Sequence, residues 1–253
     1  MKFRTVRRLM YLKIARHRRG HGIHSPFLFR LITTVVEGKR KLPEYEILKE
    51  LKKSAFGLLE NYQDPFFRDV YHQFKIVPGN GHQLYRKIEL PARYVKIVFR
   101  LIREFKPSVI VNYGPALGVN LALLAMANND AEVYQVNNDP ACEKFSKELP
   151  GNSAISNIHF VQEDTITAIV PEFVNVNYPY NPDMSRYVIR KIMEKHSKDE
   201  VMIIRGIHES LEMEANWKEV TERENVRVSL DLFEIGIVLF RDGLQKENFI
   251  HRY

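Results

Sequence analysis

Short apolar runs alternate with helical stretches from about residue 107 onward, and this rhythm restricts the possible folds more than any other sequence feature. The apolar runs predict strands at 109–111, 133–136, 158–161, 172–176, 201–204, 226–230 and 235–240. The segments between them predict helices at 118–128, from 140, at 182–195 and at 211–222. Such alternation is typical of a parallel sheet with helices on both faces, and the last two strands are close enough to pair. We therefore expect a doubly wound α/β fold, mostly parallel, with seven strands and a C-terminal antiparallel hairpin.

The first 106 residues instead predict helices. Apolar side chains recur at helical spacing in 3–14, and Gly20 and Gly22 end that helix. Ser25 followed by Pro26 is typical of an N-cap and a first helical turn, which predicts a helix to about Val36. Further helices are expected at 43–59 and 91–105. We predict an N-terminal helical extension at 1–89 and a sheet domain at 90–253.

Positive charge is concentrated at the start of the chain. Residues 1–36 carry +9 with no acid before Glu37, which leaves −2 for the rest of a chain whose net charge is +7. Such a segment favours anionic partners, either RNA or an anionic membrane surface. The alternative is a helix that packs its apolar residues Phe3, Val6, Met10 and Ile14 on the domain and leaves its charges in water.

Cysteine content and hydropathy indicate the compartment. The one cysteine, Cys142, cannot form a disulfide within the chain or a multi-cysteine zinc site. No apolar run reaches the roughly 18 residues needed to span a bilayer, and the N-terminus lacks an apolar core of signal-peptide length. We expect a cytoplasmic protein.

A glycine-containing loop joins the first predicted strand to the next helix. It reads Asn112-Tyr113-Gly114-Pro115-Ala116-Leu117-Gly118. Glycines allow a sharp turn and close approach of the backbone to a ligand, and a helix N-terminus follows. The loop therefore predicts a nucleotide-like cofactor, although a plain strand-to-helix turn has the same spacing.

Beyond this loop, several segments resemble class I S-adenosylmethionine-dependent methyltransferases, in particular a bacterial branch akin to small-molecule O-methyltransferases. The likeness lies in the segments 21–27 (HGIHSPF), 207–208 (IH) and 231–241 (DLFEIGIVLFR), and in the strand rhythm of 90–253. It implies a Rossmann-like fold, S-adenosylmethionine as cofactor and a small-molecule methyl acceptor. The sequence gives no indication of the oligomeric state.

The resemblance also implies a cofactor site with altered polar residues. Its members have an acid where this chain has Asn112 and a ribose-binding acid where it has Asn137, whereas the acid near the adenine is retained as Asp164. The backbone of Gly114 and Gly118 would then hold the methionine end. A neutral acceptor gives weaker hydrogen bonds than a carboxylate, so we expect weak cofactor binding.

Related metal-dependent enzymes take their ligands from positions that hold Asn177, Arg205 and Gly206 here. Arginine cannot ligate a cation and repels it, so we predict no catalytic metal at that place. His208 follows the fifth strand and is the candidate general base, because histidine titrates near neutral pH. A structural or incidental role for His208 is the alternative.

Two functions of different classes follow. One is a methyltransferase that uses S-adenosylmethionine; the other is a catalytically inactive methyltransferase-fold protein that acts as a binding or scaffold module through its basic N-terminal segment. The altered positions favour the second, and the intact strand-and-glycine frame favours the first. Three smaller predictions are an N-cap at Asp139, a core position for Trp217, and a turn rather than a metal site at His17, His21 and His24.

Overall fold

The computed structural model describes residues 3–15, 22–61, 67–136, 139–151 and 155–253. Its helices are α1 Phe3–Ile14, α2 Pro26–Arg30, α3 Glu44–Asn61, α4 Phe67–Gln73, α5 Gly81–Ile88, α6 Ala92–Phe105, α7 Val119–Ala127, α8 Pro140–Glu148, α9 Pro182–Glu194 and α10 Leu211–Glu222. Its strands are β1 Val109–Tyr113, β2 Glu132–Val136, β3 Ile158–Val161, β4 Phe173–Val176, β5 Val201–Arg205, β6 Val228–Asp231, β7 Ile235–Leu239 and β8 Glu247–Ile250. A π-helical segment, Leu31–Val36, continues α2, and a 3₁₀ turn spans Thr165–Ala168.

The chain divides into two compact units, one formed by residues 1–39 and 169–253 and the other by residues 40–168. The division at residue 89 stays a prediction. Among the described helices, none is both long and apolar enough to cross a bilayer.

Among its described residues, the unit of 40–168 contains the first three strands and six α-helices. Strand β2 pairs in parallel with β1 on one side and with β3 on the other, with Val111 opposite Tyr134 and Tyr134 opposite His159. Helix α7 is apolar nearly throughout and largely buried, as expected for a helix that follows the first strand of a doubly wound sheet. Helix α6 buries one apolar face and ends at Lys106, whose φ of 49° is left-handed.

The unit of residues 1–39 and 169–253 contains the other five strands, in the order β4–β5–β7–β6–β8. Strands β4 and β5 are parallel, β7 is antiparallel to both β5 and β6, and β8 is parallel to β6. The predicted hairpin is therefore present as β6 and β7. Trp217 is buried as predicted and lies against Gly236, where an added Cβ would come within 2.4 Å of the indole ring.

The expected count of seven strands is wrong, because the described residues contain eight. The additional strand, β8, reads Glu-Asn-Phe-Ile and gives too short an apolar pattern to be recognised before its pairing with β6 is known. Helices α4 and α5 were also not predicted. All seven predicted strands are present, and the architecture is the mixed, mostly parallel α/β arrangement that the strand–helix rhythm indicates.

Candidate functional site

The glycine loop lies between β1 and α7, as predicted. Gly114 has a φ of 104° and Gly118 a φ of 98°, a backbone region that residues with a Cβ rarely adopt. Gly118 is the N-cap position of α7 and supplies no side-chain cap. Backbone conformation alone therefore explains why glycine occupies both positions, because the chain turns sharply from the strand into the helix at each of them.

The side chain of Asn112 is buried and supports the glycine loop indirectly, through Gln135. It donates from Nδ2 to Gln135 Oε1 at 2.6 Å. Gln135, which is fully buried in β2, donates in turn from Nε2 to the carbonyl oxygen of Gly114 at 2.6 Å. Sequence analysis missed Gln135, although a polar residue between valines of a buried strand is a recognisable signal.

Glu89 is a second residue that sequence analysis missed. Its buried carboxylate accepts from the backbone N–H of Leu117 at 2.9 Å and from that of Asn120 at 3.1 Å. The Asn120 side chain also donates to the carbonyl of Leu90 at 3.2 Å. A carboxylate at the N-terminus of a helix accepts from backbone N–H groups that lack a partner within the helix and interacts favourably with the helix dipole. Glu89 therefore provides the N-terminal cap that Gly118, which has no side chain, cannot provide.

Of the remaining candidates, Asp164 and Asp139 are described by the structure and Asn137 is not. Asn137 lies outside the described residues, so its role stays a prediction. Asp164 follows β3, is exposed, and accepts at Oδ1 from the backbone N–H of Thr165 at 2.8 Å. Asp139 is the N-cap of α8, as predicted, and accepts from the N–H of Ala141 at 2.9 Å.

Arg205, in the other unit, is almost fully buried at the end of β5. Its Nη1 donates to Asn177 Oδ1 at 2.9 Å, and its Nε lies 3.6 Å from Glu234 Oε1. Gly206 follows with a φ of 75° and lies against Pro179. A buried guanidinium therefore lies where the sequence resemblance would place metal ligands, while the absence of a metal there stays a prediction.

His208 lies between two carboxylates. Its Nδ1 is 2.9 Å from Glu214 Oε1, and its Nε2 is 2.7 Å from Asp231 Oδ2. Burial by itself lowers the pKa of His208, but the hydrogen bonds and charges of Asp231 and Glu214 outweigh burial and raise the pKa above its ordinary value of 6.5. Both ring nitrogens are thus engaged, which favours the imidazolium; the general-base role stays a prediction.

Phe233 stacks on the His208 ring, with centroids 5.2 Å apart and planes 20° apart. It occupies the turn between β6 and β7 with a φ of 71°, an uncommon conformation for a large side chain. The N–H of Phe233 donates to Asp231 Oδ1 at 2.8 Å, and the N–H of Glu234 donates to the carbonyl of Leu232 at 2.9 Å. Asp231 therefore fixes this tight turn with one oxygen and the His208 ring with the other.

Helix α1 reverses one expectation. The expected apolar residues Phe3, Val6, Met10 and Ile14 are exposed rather than packed on the domain, although Tyr11, Leu12 and Ala15 do pack against Phe233 and Ile250. Arg4 pairs with Glu209 at 3.0 Å and also with Glu234, and Arg7 pairs with Glu214. Tyr11 is buried and donates to the carbonyl oxygen of Asp231 at 3.1 Å. The arginine-bearing face packs inward because the loop after β5, the first turn of α10 and the turn after β6 present carboxylates to it.

The histidines near the N-terminus are only partly described. His17 and His21 lie outside the described residues, and His24 is exposed. Ser25 caps α2 as predicted, with its Oγ accepting from the N–H of Leu28 at 3.4 Å. Within the part of the chain that the structure describes, no group of three potential metal-binding side chains is found.

Several solved structures with a similar fold are methyltransferases. The methyltransferase PaMTH1 of Podospora anserina, bound to S-adenosylhomocysteine, matches with a TM-score of 0.53 and 11% identity over 80% of this chain and 98% of its own. The O-methyltransferase TomG of Streptomyces achromogenes, involved in tomaymycin synthesis and in complex with S-adenosylmethionine, matches with a TM-score of 0.52 and 12% identity over 79% and 100%. A methyltransferase of Geobacter sulfurreducens matches with a TM-score of 0.50 and 14% identity over 76% and 96%.

At such low identity these likenesses establish the fold alone. No protein-family model matches the sequence, and no curated protein sequence is significantly similar to it. The chain has the Rossmann-like fold of class I S-adenosylmethionine-dependent methyltransferases, in agreement with the resemblance seen in the sequence.

Proposed function

We propose that this protein binds S-adenosylmethionine at the loop from Gly114 to Gly118 and is a methyltransferase that acts on a small hydroxylated or amine acceptor. The observation that carries this proposal is the loop itself, with two glycines of positive φ between the first strand and its helix. Structures with the same fold bind S-adenosylmethionine or its demethylated product, which supports this choice of cofactor.

The residues present fit the cofactor in part. The loop backbone would hold the methionine end, Asn137 the ribose and Asp164 the adenine edge. The N–H groups of Leu117 and Asn120 already bind Glu89, so contacts to the methionine carboxylate would fall nearer Gly114. S-adenosylmethionine, when bound, supplies an activated methyl group on its sulfonium sulfur.

Affinity is expected to be modest. A carboxylate acceptor contributes about 1.5–3 kcal/mol to a hydrogen bond and a neutral amide about 0.5–1.5 kcal/mol. An asparagine in place of the ribose-binding acid therefore costs about a factor of ten in affinity. A direct contribution of Asn112 stays a prediction; its Nδ2 donates to Gln135 inside the sheet.

The acceptor must lose a proton when it is methylated, and the sequence-based candidate to receive it is His208, which can act as a base only in its neutral form. In the described arrangement its two nitrogens face Glu214 and Asp231, so proton transfer would require one of these contacts to open. The proposed reaction uses no metal at Asn177, Arg205 and Gly206, because the Arg205 guanidinium disfavours a second cation there.

Calorimetric titration of S-adenosylmethionine and S-adenosylhomocysteine into the full chain, up to millimolar ligand, tests the proposal. We expect saturable binding that weakens about tenfold in Asp164→Ala and tightens about tenfold in Asn137→Glu. Asp130→Ala removes an exposed carboxylate elsewhere in the same unit and should leave binding unchanged. Absence of saturable heat from the wild type and from Asn137→Glu contradicts the proposal.

The alternative of an inactive binding or scaffold protein stays a prediction from the replaced acids, and the structural comparisons do not support it. It would gain support if binding is absent in the titration above, or if binding occurs without methyl transfer. Binding without any detectable transfer to a panel of phenols, alcohols and amines would leave the cofactor site as proposed and contradict the enzymatic part.

A further inference from the structure

Helix α1 has two faces of opposite character, and the outward one is apolar. Arg4, Arg7 and Tyr11 face the domain, where they pair with carboxylates and backbone carbonyls. The exposed side chains are mainly apolar and lie between 36% and 54% open to solvent: Phe3, Val6, Leu9, Met10 and Ile14. Five large apolar side chains on one short helix are more than the scattered exposure that folded proteins ordinarily show.

These five residues form one continuous stripe. With about 100° between successive residues of an α-helix, they fall within an arc of about 140°. Lys13 is the one residue of this helix inside the arc with a charge, and it is exposed. Its long stem can lie along apolar surface while its ammonium group reaches outward. We call this set, Phe3, Val6, Leu9, Met10, Lys13 and Ile14, the outer face of α1.

Charge in the sequence around the outer face identifies its partner. Lys2 precedes α1, and Arg16, Arg18 and Arg19 follow it, with no acidic residue before Glu37. The acids that neutralise Arg4 and Arg7 belong to the domain, so they do not offset these additional charges. A second copy of the chain would bring like charges together. A nucleic acid would use the charges but leave the apolar stripe in water.

We propose that the outer face of α1 is a docking surface for an anionic lipid bilayer. The apolar stripe would lie in the boundary between headgroups and acyl chains, with Lys13 against anionic headgroups. The inner face stays docked on the carboxylates after β5 and β6, so attachment does not require the helix to leave the domain. This inference is independent of cofactor binding.

Co-sedimentation of the full chain with vesicles tests this surface. Phosphatidylcholine vesicles with about 30% phosphatidylserine are compared with pure phosphatidylcholine vesicles at low and physiological salt. We expect binding to the anionic vesicles at least tenfold tighter than to the neutral ones, with weakening as salt rises. The double variant Leu9→Gln/Met10→Gln should lose at least a further tenfold on anionic vesicles.

The variants are chosen to leave the fold intact. Leu9 and Met10 are each 52% exposed and make none of the described contacts with the domain carboxylates. The matched control, Val170→Gln/Leu211→Gln, removes two side chains of similar exposure on other elements and should bind vesicles like the wild type. Far-ultraviolet circular dichroism of both variants checks that helix content is unchanged.

Three outcomes overturn the proposal. The first is no difference between anionic and neutral vesicles, or equal losses in the variant and in its control. The second is tight binding to single-stranded RNA that persists in Leu9→Gln/Met10→Gln while vesicles are not bound, which would assign the basic residues to nucleic acid. The third is a dimer in sedimentation velocity that dissociates in that variant without vesicle binding, which would assign the outer face to a second copy.

Discussion

His208 shows how a residue's surroundings can redefine a sequence-based prediction. A histidine after the fifth strand suggests a base, but Asp231 and Glu214 hold both of its nitrogens, and Arg7 of α1 pairs with the same Glu214. Asp231 belongs to β6 and lies 23 residues from His208, whereas Glu214 belongs to α10 and lies six residues away. The positions of these elements decide that both nitrogens of His208 face carboxylates, which raise its pKa.

The raised pKa of His208 predicts a pH dependence of stability. The imidazolium contributes its full stabilisation below the unfolded pKa near 6.5, and this contribution is lost as the pH rises through the higher folded pKa. We expect the free energy of unfolding of the wild type to fall above pH 6.5 relative to His208→Asn. Urea unfolding from pH 5.5 to 9 measures this difference in the free energy of unfolding. His24→Asn, which replaces an exposed histidine, serves as control. Parallel curves for wild type and His208→Asn would contradict this assignment.

The buried Glu200 should also make the free energy of unfolding depend on pH, for a different reason. Its side chain is fully buried, and burial raises its pKa from 4.5 to about 8, against one hydrogen bond from the backbone N–H of Ser197. A raised carboxyl pKa means that the folded state retains a proton that the unfolded state releases. Stability should therefore fall between pH 5 and pH 8, on the order of 3 kcal/mol.

Replacing Glu200 by glutamine isolates this contribution. Glu200→Gln keeps the shape but cannot ionise, so the decline between pH 5 and pH 8 should be smaller by the amount given above. Glu224→Gln, which alters an exposed carboxylate, should keep the wild-type decline. Chemical unfolding of the wild type and of both variants at pH 5 and pH 8 measures these declines. A wild-type decline of the free energy of unfolding in Glu200→Gln would contradict the role of the buried carboxyl group.

At the scale of elements, ion pairs of Arg4 and Arg7 add to the apolar cluster of Tyr11, Ala15 and Phe233 in docking α1. Because Arg4 and Arg7 are 40% and 33% exposed, each pair is screened by solvent and is worth about 1 kcal/mol. We expect Arg4→Gln/Arg7→Gln to lower the free energy of unfolding by about 2 kcal/mol at low salt and by less at high salt. Lys13→Gln, on the outer face, should change it by less than about 0.5 kcal/mol. Equal effects of the two changes would contradict the charged docking.

The connections after β5 and after β7 offer a matched pair of glycines. Gly206 and Gly243 have φ values of 75° and 83°, but an added Cβ would lie 2.5 Å from Pro179 Cβ at Gly206 and meets nothing within 4 Å at Gly243. Gly243→Ala should cost about 1 kcal/mol through backbone strain alone. Gly206→Ala should cost about 2–4 kcal/mol, because overpacking adds to the strain. Thermal unfolding compares them, and similar losses would show that Pro179 moves freely.

For the whole molecule, ligand binding and stability are linked. A ligand that binds only the folded chain, present at ten times its Kd, raises the free energy of unfolding by about 1.4 kcal/mol. For a chain of this length that corresponds to a Tm increase of about 3–5 °C. We expect such a shift with millimolar S-adenosylmethionine and a smaller one in Asp164→Ala. An equal shift in both proteins would argue against the placement of the adenine at Asp164.

Sequence by itself determined the strand rhythm, the glycine loop, the N-caps at Ser25 and Asp139, and the family resemblance. These features are predictable because each depends on local backbone geometry or on the periodicity of apolar residues. It also indicated the concentration of basic residues at the start of the chain, because charge is counted without knowledge of the fold.

Tertiary structure alone decided which polar groups meet. Glu89 caps α7 across about 30 residues, Gln135 supports Gly114 from the neighbouring strand, and β8 exists because β6 offers it a free edge. Helix α1 presents its arginines inward although its apolar spacing suggested the reverse. The physical reason is the same in these four cases. A hydrogen bond or ion pair between distant segments forms only where the fold brings the two segments together, so the partner cannot be predicted from local sequence.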